Sequence, residues 1–406
     1  MHSRLDPTAR RLIRLRLARS IGQGALVVDL ALYLKALGWS AVAIGTVLGV
    51  TGIVAATLSL AVGIASDRLG RKPFLVASET LMIVCAATAF ATADPWLLWP
   101  AIVLGGLGRG MNGAAGFFSP AEQSWMARVV STGKRGRVYS LNLAAGSLGM
   151  AVGAGLATLP DVLAPTFGIL SAFRLLFLIP IIASGFNLFS LARMHETGAE
   201  ASPAPSAPKR SGRRRSENRL LATLVGLNAT NGLGVGLIAP LLSYWFSLRF
   251  GLGPSAIAPF FAATFVIGGL AALATGRLSE KIGVVPAVVS VRTLSVLILV
   301  LVPLMPVYAF AAGLYALRSA LNRGSVGARQ ALVVSLVGED RRGLAVSLGT
   351  SSFQYAQSAG PVITGVLIEL GALMAPFFGA AGLQLLYAIG FWYAFRRHDP
   401  SRPASV

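Results

Sequence analysis

Cysteine, histidine and acidic residues are scarce in this chain of 406 residues. Its one cysteine, Cys85, lies inside an apolar stretch, so no disulfide within the chain and no cysteine cluster for a metal are available. The three histidines, His2, His195 and His398, fall in polar segments, which argues against a histidine-based metal site or catalytic triad. A nucleophile elbow and the Walker sequence Gly-x-x-x-x-Gly-Lys-Ser/Thr are also lacking. We therefore expect no enzyme, no ATP-driven pump, no metal and no cofactor.

Charged residues make up only 12% of the chain, against roughly 25% in soluble domains, whereas apolar residues make up 55%. The apolar stretches run for about 20 residues or more, which is long enough for a helix to cross the hydrocarbon core of a membrane. Strands are not expected, because the stretches show no sustained alternation and carry recurrent Gly and Ala. The composition predicts an all-α membrane protein.

Twelve apolar stretches predict twelve transmembrane helices. They fall near 18–38, 41–63, 74–93, 97–126, 137–160, 169–192, 219–248, 254–275, 286–307, 308–335, 343–370 and 373–395. The segment 193–218 is rich in Pro, Ser and Arg, which cannot build a core, so it predicts a disordered cytoplasmic linker. The expected domains are an N-terminal six-helix bundle over 1–192 and a C-terminal six-helix bundle over 219–406.

The net charge of +20 would suit a nucleic-acid partner, but the basic residues are distributed as in a membrane protein. Most of them fall in the terminal segments, the linker and alternate loops, which share one side if twelve helices cross. This bias places both termini in the cytoplasm of a multi-pass inner-membrane protein, with a basic surface against the lipid bilayer and no nucleic acid. The first cytoplasmic segment is assigned Arg10, Arg11, Arg14, Arg16 and Arg19, and the apolar stretch after it is expected to be a retained helix.

A ten-residue pattern occurs twice in the chain. It runs from Gly63 to Lys72 and recurs from Gly276, 213 residues later. The flanks align as well. At the same offset, Gly38 aligns with Gly251, Asp67 with Glu280 and Glu79 with Arg292. At an offset of 207, Glu122 aligns with Arg329, and Ser140-Leu141 aligns with Ser347-Leu348. The chain is therefore predicted to contain two copies of one unit, and six spans per copy make them parallel repeats.

The first copy resembles the loop signature of the major facilitator superfamily, Gly-x-x-x-Asp-Arg-x-Gly-Arg-Arg/Lys. The matching residues are Gly63, Asp67, Arg68, Gly70, Arg71 and Lys72. With the twelve spans and the degenerate second copy, the resemblance extends over the whole chain. It implies two pseudo-symmetric six-helix bundles, a substrate cavity between them, alternating access, and a monomer that handles a small-molecule substrate.

Two weaker resemblances concern proton coupling and the direction of transport. The segment from Arg109 to Gly113 is similar to the Arg-x-x-Gln-Gly motif of proton-coupled members, with Asn112 in place of Gln. The fifth span is similar to the Gly-x-x-x-Gly-Pro-x-x-Gly-Gly motif of drug:proton antiporters, but it lacks the Pro and the final Gly pair. Its small residues are Gly146, Gly149, Gly153, Ala154 and Gly155. Close helix packing accounts for them equally well.

The family resemblance implies that Asp67 forms a cytoplasmic latch between the two halves in the outward-facing state. An acidic side chain at a helix N-terminus is stabilised by roughly 0.3–1 kcal/mol, which suits that role. Arg71 and Arg128 are the expected partners of Asp67 when the latch opens, whereas Arg68 also suits a solvated turn. Glu280 predicts either a weaker latch or a relic of one in the second copy, because the two basic residues that end the first copy are missing there.

Asp29 is the only acidic residue deep in the first span, and Arg109 lies at a similar depth in the fourth. A charge at the bilayer centre costs at least about 2.5–3.5 kcal/mol, so each needs a partner or a wet cavity. We hypothesise that Asp29 carries protons and that Arg109 modulates it. The alternatives are a fixed ion pair that braces the two helices, and an Asp29 that reaches the outer surface.

The tenth span carries Arg318, Arg323 and Arg329 without an acidic residue. A cavity with Arg109 on one half and Arg318 on the other would attract an anion or a carboxylate-bearing substrate.

Ordinary pairing is the alternative for these charges, with Glu122 near Arg329 and Glu79 near Arg128. Glu79 and Arg292 lie near the cytoplasmic ends of peripheral spans of the family and are expected to be structural.

Uncharged polar residues complete the predicted cavity, namely Gln23, Asn112, Asn228, Asn231, Tyr244, Gln354 and Gln357. The leading hypothesis is a secondary active transporter that exports a small organic compound in exchange for protons. A proton-coupled importer of an organic anion, such as a carboxylate or sugar acid, is the alternative within this fold. A non-transporting receptor or a channel is the alternative from another class.

Overall fold

Helices account for the regular structure of the chain. The computed structural model describes residues 6–109, 116, 118–131, 135–196, 211–274, 283–335 and 341–396, and these ranges contain no strand. Their sixteen α-helices are α1 (Pro7–Ala36), α2 (Ala41–Leu69), α3 (Lys72–Ala91), α4 (Pro95–Gly105), α5 (Ser119–Val129), α6 (Arg135–Leu156), α7 (Leu159–Phe167), α8 (Ile169–Leu175), α9 (Leu178–Ala192), α10 (Ser211–Gly236), α11 (Leu242–Phe250), α12 (Pro254–Ala274), α13 (Val284–Leu301), α14 (Tyr308–Ser335), α15 (Arg342–Glu369) and α16 (Ala375–Phe395).

Each of the twelve predicted spans corresponds to one helix or to two consecutive helices. The fourth to seventh spans are the divided ones, formed by α4 with α5, α6 with α7, α8 with α9, and α10 with α11. Within the described ranges, nine helical segments are long and apolar enough to cross a membrane. The predicted all-α membrane fold is therefore confirmed.

The first helix starts earlier than predicted, at Pro7 rather than near residue 18. The carboxylate of Asp6 accepts hydrogen bonds from the backbone N–H groups of Thr8, at 2.8 Å, and Ala9, at 3.3 Å. An N-cap of this kind followed by Pro at the first helical position is a strong start signal. As a result Arg16 and Arg19 lie inside α1 and are buried, so their assignment to a cytoplasmic segment is wrong.

Contacts divide the chain into two compact units. Unit 1 comprises Met1–Ser202 and Leu242–Val266, and unit 2 comprises Pro203–Leu241 and Ile267–Val406. Helix α11 thus groups with unit 1, although it follows the predicted linker. Helix α10 begins at Ser211, inside the segment predicted to be a disordered linker.

Glycines bring α1 and α6 into backbone contact in unit 1. A Cβ on Gly149 would lie 2.5 Å from the carbonyl oxygen of Leu17, and a Cβ on Gly153 would overlap the carbonyl oxygen of Ile21. A Cβ on Gly155, in contrast, would meet open space. The glycines of the fifth span that match the antiporter motif therefore serve close helix packing at Gly149 and Gly153.

Helices α10 and α15 form the corresponding pair in unit 2. A Cβ on Gly232 would overlap the carbonyl oxygen of Phe353, and one on Gly236 would overlap that of Gln357. Gly360 of α15 also permits this close contact, since a Cβ there would overlap the backbone of Gly236 on α10. The first and fifth spans thus pack in the same way as the seventh and eleventh, as expected for repeated units.

The backbone shows the repeat at two turns. Gly38 and Gly251 have φ values of 83° and 66°, and Gly70 and Gly283 have φ values of 86° and 93°. These left-handed conformations favour glycine over any residue with a Cβ. The residues that the sequence pairs at an offset of 213 therefore make the same turns.

Candidate functional site

A buried ion cluster around Arg19 joins five helices of unit 1, namely α1, α3, α5, α6 and α9. The Arg19 guanidinium donates to Oε1 of Glu79, through Nε at 2.9 Å and also through Nη2, and to Oε2 of Glu122 through Nη1 at 2.8 Å. Asn142 donates to Oε1 of Glu122 at 3.1 Å, and Asn187 donates to Oε1 of Glu79 at 3.0 Å. The ring of Phe118 covers the guanidinium carbon at 3.8 Å. One cation and two carboxylates are thus held with their hydrogen bonds largely satisfied.

The cluster corrects the predicted pairing of the acidic residues. Glu79 was expected near Arg128 and Glu122 near Arg329, whereas both carboxylates bind Arg19. Glu79 is structural, as expected. Buried charges are stable only with partners and further hydrogen bonds, and Arg19 receives both.

A cleft of unit 1 lies beside this cluster. Its polar lining consists of Arg16, Arg19, Ser20, Gln23 and Arg109, and Phe118 contributes an aromatic wall. Gln23 donates to the carbonyl oxygen of Gly106 at 3.4 Å, while its own amide oxygen accepts no hydrogen bond from the described part of the chain. The predicted cavity residues Gln23 and Arg109 therefore line one cleft, together with the missed residues Arg16 and Arg19, of which Arg19 is bound by two carboxylates.

Asp29 lies in the last third of α1 and is almost completely enclosed, with 1% of its surface exposed. Neither of its carboxylate oxygens has a hydrogen bond from the described residues. The charge that acts on it comes from Asp161, which is another acid. A position at the outer surface is excluded by this burial. An isolated carboxylate is strongly disfavoured in such surroundings.

Asp29 and Arg109 do not form the predicted pair. Within the described ranges, no hydrogen bond or ion pair joins these two side chains, and Arg109 lines the cleft beside the ion cluster instead. The bracing ion pair is therefore absent. Matched depth along two helices was the basis of the prediction, but α4 ends at Gly105, so Arg109 does not lie on that helix.

Arg71 of the signature loop is buried and bound by groups that sequence reasoning did not identify. Its Nε donates to the hydroxyl of Ser124 at 2.8 Å, and its Nη1 lies 3.4 Å from Oε1 of Glu196. The Glu196 carboxylate also accepts the backbone N–H of Arg71, at 2.8 Å and 3.0 Å, and that of Lys72, at 2.8 Å. Glu196 thus occupies the N-terminus of α3, where an acidic group is favoured.

The remaining latch residues divide into described and undescribed ones. Gly63 lies within α2, Gly70 ends that helix, and Arg68 and Arg128 are exposed. The side chain of Asp67 and the whole of Glu280 lie outside the described residues. The predicted contact of Asp67 with a helix N-terminus therefore stays a prediction.

Unit 2 holds two arginines that are enclosed by neutral partners. Arg292 of α13 donates to Oδ1 of Asn231 at 3.4 Å and lies over the ring of Tyr387. Arg318 of α14 donates to Oε1 of Gln384 at 3.0 Å, and its exposed fraction is 4%. Arg318 and Asn231 are thus buried within unit 2, which corrects their prediction as cavity-lining residues. Arg292 is structural, as expected.

A second cleft lies in unit 2 between α10, α14 and α15. It is lined by Asn228, Arg329, Ala345, Val346, Gly349, Thr350 and Phe353. The empty space in it amounts to about 700 Å³, including its opening. Of the predicted cavity residues, Asn228 lines this cleft, and its contact with substrate stays a prediction.

The other predicted cavity residues do not line either cleft. Tyr244 is buried in unit 1, with the ammonium group of Lys35 located 5.7 Å from its ring centre. Gln354 and Gln357 are half-buried, and the backbone of Gln357 packs on Gly236. Asn112 lies outside the described residues.

Sequence reasoning missed five residues of unit 1, namely Arg16, Arg19, Asn142, Asn187 and Glu196. Arg19 was hidden by its neighbours, because a run of arginines before an apolar stretch is typical of a cytoplasmic segment. The two asparagines could have been found, since an amide inside an apolar span requires a hydrogen-bond partner. Glu196 offered no signal, because its role depends on a helix terminus that lies far away in the chain.

Comparison with known proteins identifies the architecture. The family model described as Major Facilitator Superfamily matches residues 15–228 and again residues 224–406. The crystal structure of the nucleoside transporter NupG covers 96% of this chain and 100% of its own, with a TM-score of 0.73 and 12% identity. That of a D-xylose-proton symporter covers 95% and 97%, with a TM-score of 0.73 and 13% identity. At such low identity these two structures show the fold alone.

Among proteins with assigned names, the multidrug resistance protein MdtH of Cronobacter sakazakii is 31% identical over 152 residues. This match covers 34% of the chain and 36% of the relative, so it spans only about a third of either protein.

Proposed function

Since this chain belongs to the major facilitator superfamily of transporters, we propose that it exports a small organic solute by alternating access in exchange for protons. It is a multi-pass membrane protein, and the family supports the expectation that it is a transporter rather than an enzyme, a channel or a receptor. Fold alone does not set function in such families, so the coupling and the direction rest on separate observations.

The burial of Asp29 carries the proposal of proton coupling. A carboxyl group that is enclosed in a membrane helix without a partner must bind a proton when it is shielded and can lose it only when water or a cation reaches it. Alternating access supplies that change of surroundings. In the proposed cycle Asp29 releases its proton when water reaches its side chain and binds a proton again as the site closes. Arg109 then acts on substrate in its cleft rather than as a fixed partner of Asp29.

The direction of transport is proposed from the relatives. The name multidrug resistance protein belongs to MdtH and describes that protein. Shared sequence over about a third of each chain supports an export direction for this chain too. The same similarity supports a location in the inner membrane, and the charge bias supports cytoplasmic termini. We also propose that the protein works as a monomer.

Import of an organic anion is the second candidate, and the arginines of unit 2 favour it. Arg292 and Arg318 are enclosed by neutral side chains, and Arg329 lines an open cleft. NupG and the D-xylose-proton symporter show that the fold is not restricted to exporters, since neither is named as one.

Transport by the purified full-length protein in proteoliposomes tests the main proposal. A proton gradient should drive solute movement, and the Asp29→Asn variant should lose this response while its unfolding temperature changes little. Asp94→Asn is the matched control, because Asp94 caps α4 at an exposed site and Asn caps a helix equally well. Gradient-driven transport that survives in Asp29→Asn would contradict the role of Asp29.

Direction is tested separately with everted and right-side-out membrane vesicles. An exporter accumulates labelled solute in everted vesicles under a proton gradient, whereas an importer accumulates it in right-side-out vesicles.

A further inference from the structure

The described part of unit 2 holds buried arginines that have no carboxylate partner there. The described acidic residues of this unit are Glu217, which pairs with Arg341 at 3.1 Å, and Glu369, which ends α15. Neither is a partner of Arg292 or Arg318, whose hydrogen-bonded neighbours are the amides of Asn231 and Gln384. The oxygens of neutral amides accept hydrogen bonds from a guanidinium, but they do not cancel its positive charge.

Comparison of the two copies of the repeat shows which carboxylates unit 2 lacks at the positions aligned with those of unit 1. Arg292 stands where the first copy has Glu79, and Arg329 stands where it has Glu122. In unit 1 those two carboxylates neutralise Arg19. Unit 2 therefore has cations at the two positions where unit 1 has anions. Arg292 and Arg329 are also close enough to repel each other.

The cleft at Arg329 exists because of a further difference between the copies. Asn142 of unit 1 aligns with Gly349 of unit 2, directly after the matched pair Ser-Leu. Asn142 fills its position and donates to Glu122, whereas Gly349 leaves space into which Asn228 projects. A Cβ on Gly349 would lie 2.9 Å from Nδ2 of Asn228.

The lining of this cleft is suited to a particular kind of molecule. Arg329 provides a cation with no hydrogen bond or ion pair to any described residue, and Asn228 and Thr350 provide uncharged donors. Val346 and Phe353 provide an apolar wall next to them. A hydrated inorganic anion would gain nothing from that wall, whereas a carboxylate attached to a hydrocarbon group would use both parts.

We propose that this cleft of unit 2 binds the carboxylate of a small organic anion. The Arg329 guanidinium donates to both carboxylate oxygens, in the paired geometry that suits Arg and a planar carboxylate. Asn228 and Thr350 complete the hydrogen bonds, and the hydrocarbon part packs on Phe353. The inference names a substrate class for the proposed transporter, but the binding step itself can be measured without transport.

Thermal unfolding of the purified full-length protein tests the site with benzoate as the probe and benzamide as its neutral counterpart. Benzoate should raise the unfolding temperature in a saturable way, because a ligand stabilises the folded state according to its concentration relative to Kd. Benzamide should have no such effect. Sodium sulfate at equal ionic strength controls for inorganic anions and should not compete with benzoate.

Two variants locate the binding. Arg329→Gln should weaken benzoate binding by about tenfold or more, because a charge-assisted hydrogen bond is lost. Gly349→Asn should also weaken it, because the side chain fills the cleft while every arginine stays. The matched control is Arg219→Gln, which removes an exposed cation from α10 and should leave the Kd for benzoate unchanged. Arg329→Gln should unfold no earlier than the parent protein when no probe is present, because no carboxylate in the described part of unit 2 pairs with the charge that it removes.

Equal stabilisation by benzoate and benzamide, or an unchanged Kd in Arg329→Gln, would overturn the site. The transport proposal can fail independently. If benzoate binds at Arg329 but is not transported into proteoliposomes, the binding site is supported and the proposal that the protein transports carboxylates is contradicted. If proton-driven transport depends on Asp29 but benzoate does not bind, the carboxylate site is contradicted and the transport proposal is kept.

Discussion

Arg19 and Glu122 lie 103 positions apart in the chain, and yet the guanidinium of one donates to the carboxylate of the other at 2.8 Å inside unit 1. This bond links α1 to α5, and the second carboxylate on Arg19, that of Glu79, links α1 to α3. An ion pair that is enclosed in this way responds to the loss of one partner more strongly than a surface pair, because the other charge remains buried.

Replacing Glu122 should therefore destabilise the protein. Glu122→Gln leaves Arg19 with one carboxylate instead of two, and the expected loss is about 3 kcal/mol in the free energy of unfolding, at the low end for a broken buried pair. Thermal unfolding of the detergent-purified variant measures the loss. Asp94→Asn makes the same chemical change at an exposed helix cap and should alter stability by less than about 0.5 kcal/mol. Equal effects of the two variants would contradict the structural importance of the cluster.

Two glycines of α6 should respond in opposite ways to the same substitution. Gly153→Ala forces a methyl group into the carbonyl oxygen of Ile21, so it should cost about 1–3 kcal/mol through overpacking. Gly155→Ala meets open space and should stabilise the helix by about 0.5–1 kcal/mol, because Ala has the higher helix propensity. The comparison of unfolding temperatures checks both signs. If Gly155→Ala abolishes transport without loss of stability, the glycine matters through the antiporter motif rather than through packing.

Removal of the Glu196 carboxylate should loosen the segment that follows α9. Glu196→Ala takes away the acceptor for the backbone N–H groups of Arg71 and Lys72, with an expected loss of about 0.5–2 kcal/mol, typical of a helix cap. Trypsin should then cleave after Arg193 faster than in the parent protein, and the fragments can be followed by mass spectrometry. Glu196→Gln keeps an acceptor oxygen and should give an intermediate rate. Identical rates in all three proteins would show that the contact does not restrain this segment.

The two copies of the loop signature should contribute unequally to transport. Asp67→Asn is expected to lower the transport rate much more than Glu280→Gln, because only the first copy carries the basic residues Arg71 and Lys72 behind its acidic residue. Initial rates in proteoliposomes, normalised to the amount of inserted protein, measure the difference. Similar losses for both variants would favour two plain turns that obey the positive-inside bias.

The fold could be predicted from the sequence because its signals are local. Each apolar stretch specifies its own helix in a membrane, where the backbone must satisfy its hydrogen bonds internally, and α14 occupies the predicted range 308–335. The alignment of the two copies paired Gly38 with Gly251, and both residues adopt the same left-handed conformation. The predicted bounds were least accurate at the helix ends, since α1 starts at Pro7 rather than near residue 18.

The site could be predicted only in part, because contacts depend on where each helix begins and ends as well as on depth. Asp29 was identified as an intramembrane acid, but its proposed partner Arg109 points into a different space. Arg19 was placed in a cytoplasmic segment by the statistics of basic residues, although its burial in α1 makes it the centre of a cluster. Glu79 and Glu122 were recognised as needing cations, but one cation for both was not foreseen.

The spacing of this cluster along the chain also has a consequence for synthesis. Glu79 follows Arg19 by 60 residues and Glu122 follows it by 103. At about 5–20 residues per second, a ribosome needs roughly 3–12 seconds to reach the first carboxylate and longer to reach the second. During that interval the nascent α1 carries an arginine whose carboxylate partners have not yet been made. The helix is thus expected to stay beside the insertion machinery until α3 emerges, so the order in which the chain is made determines when its first helix can settle in lipid.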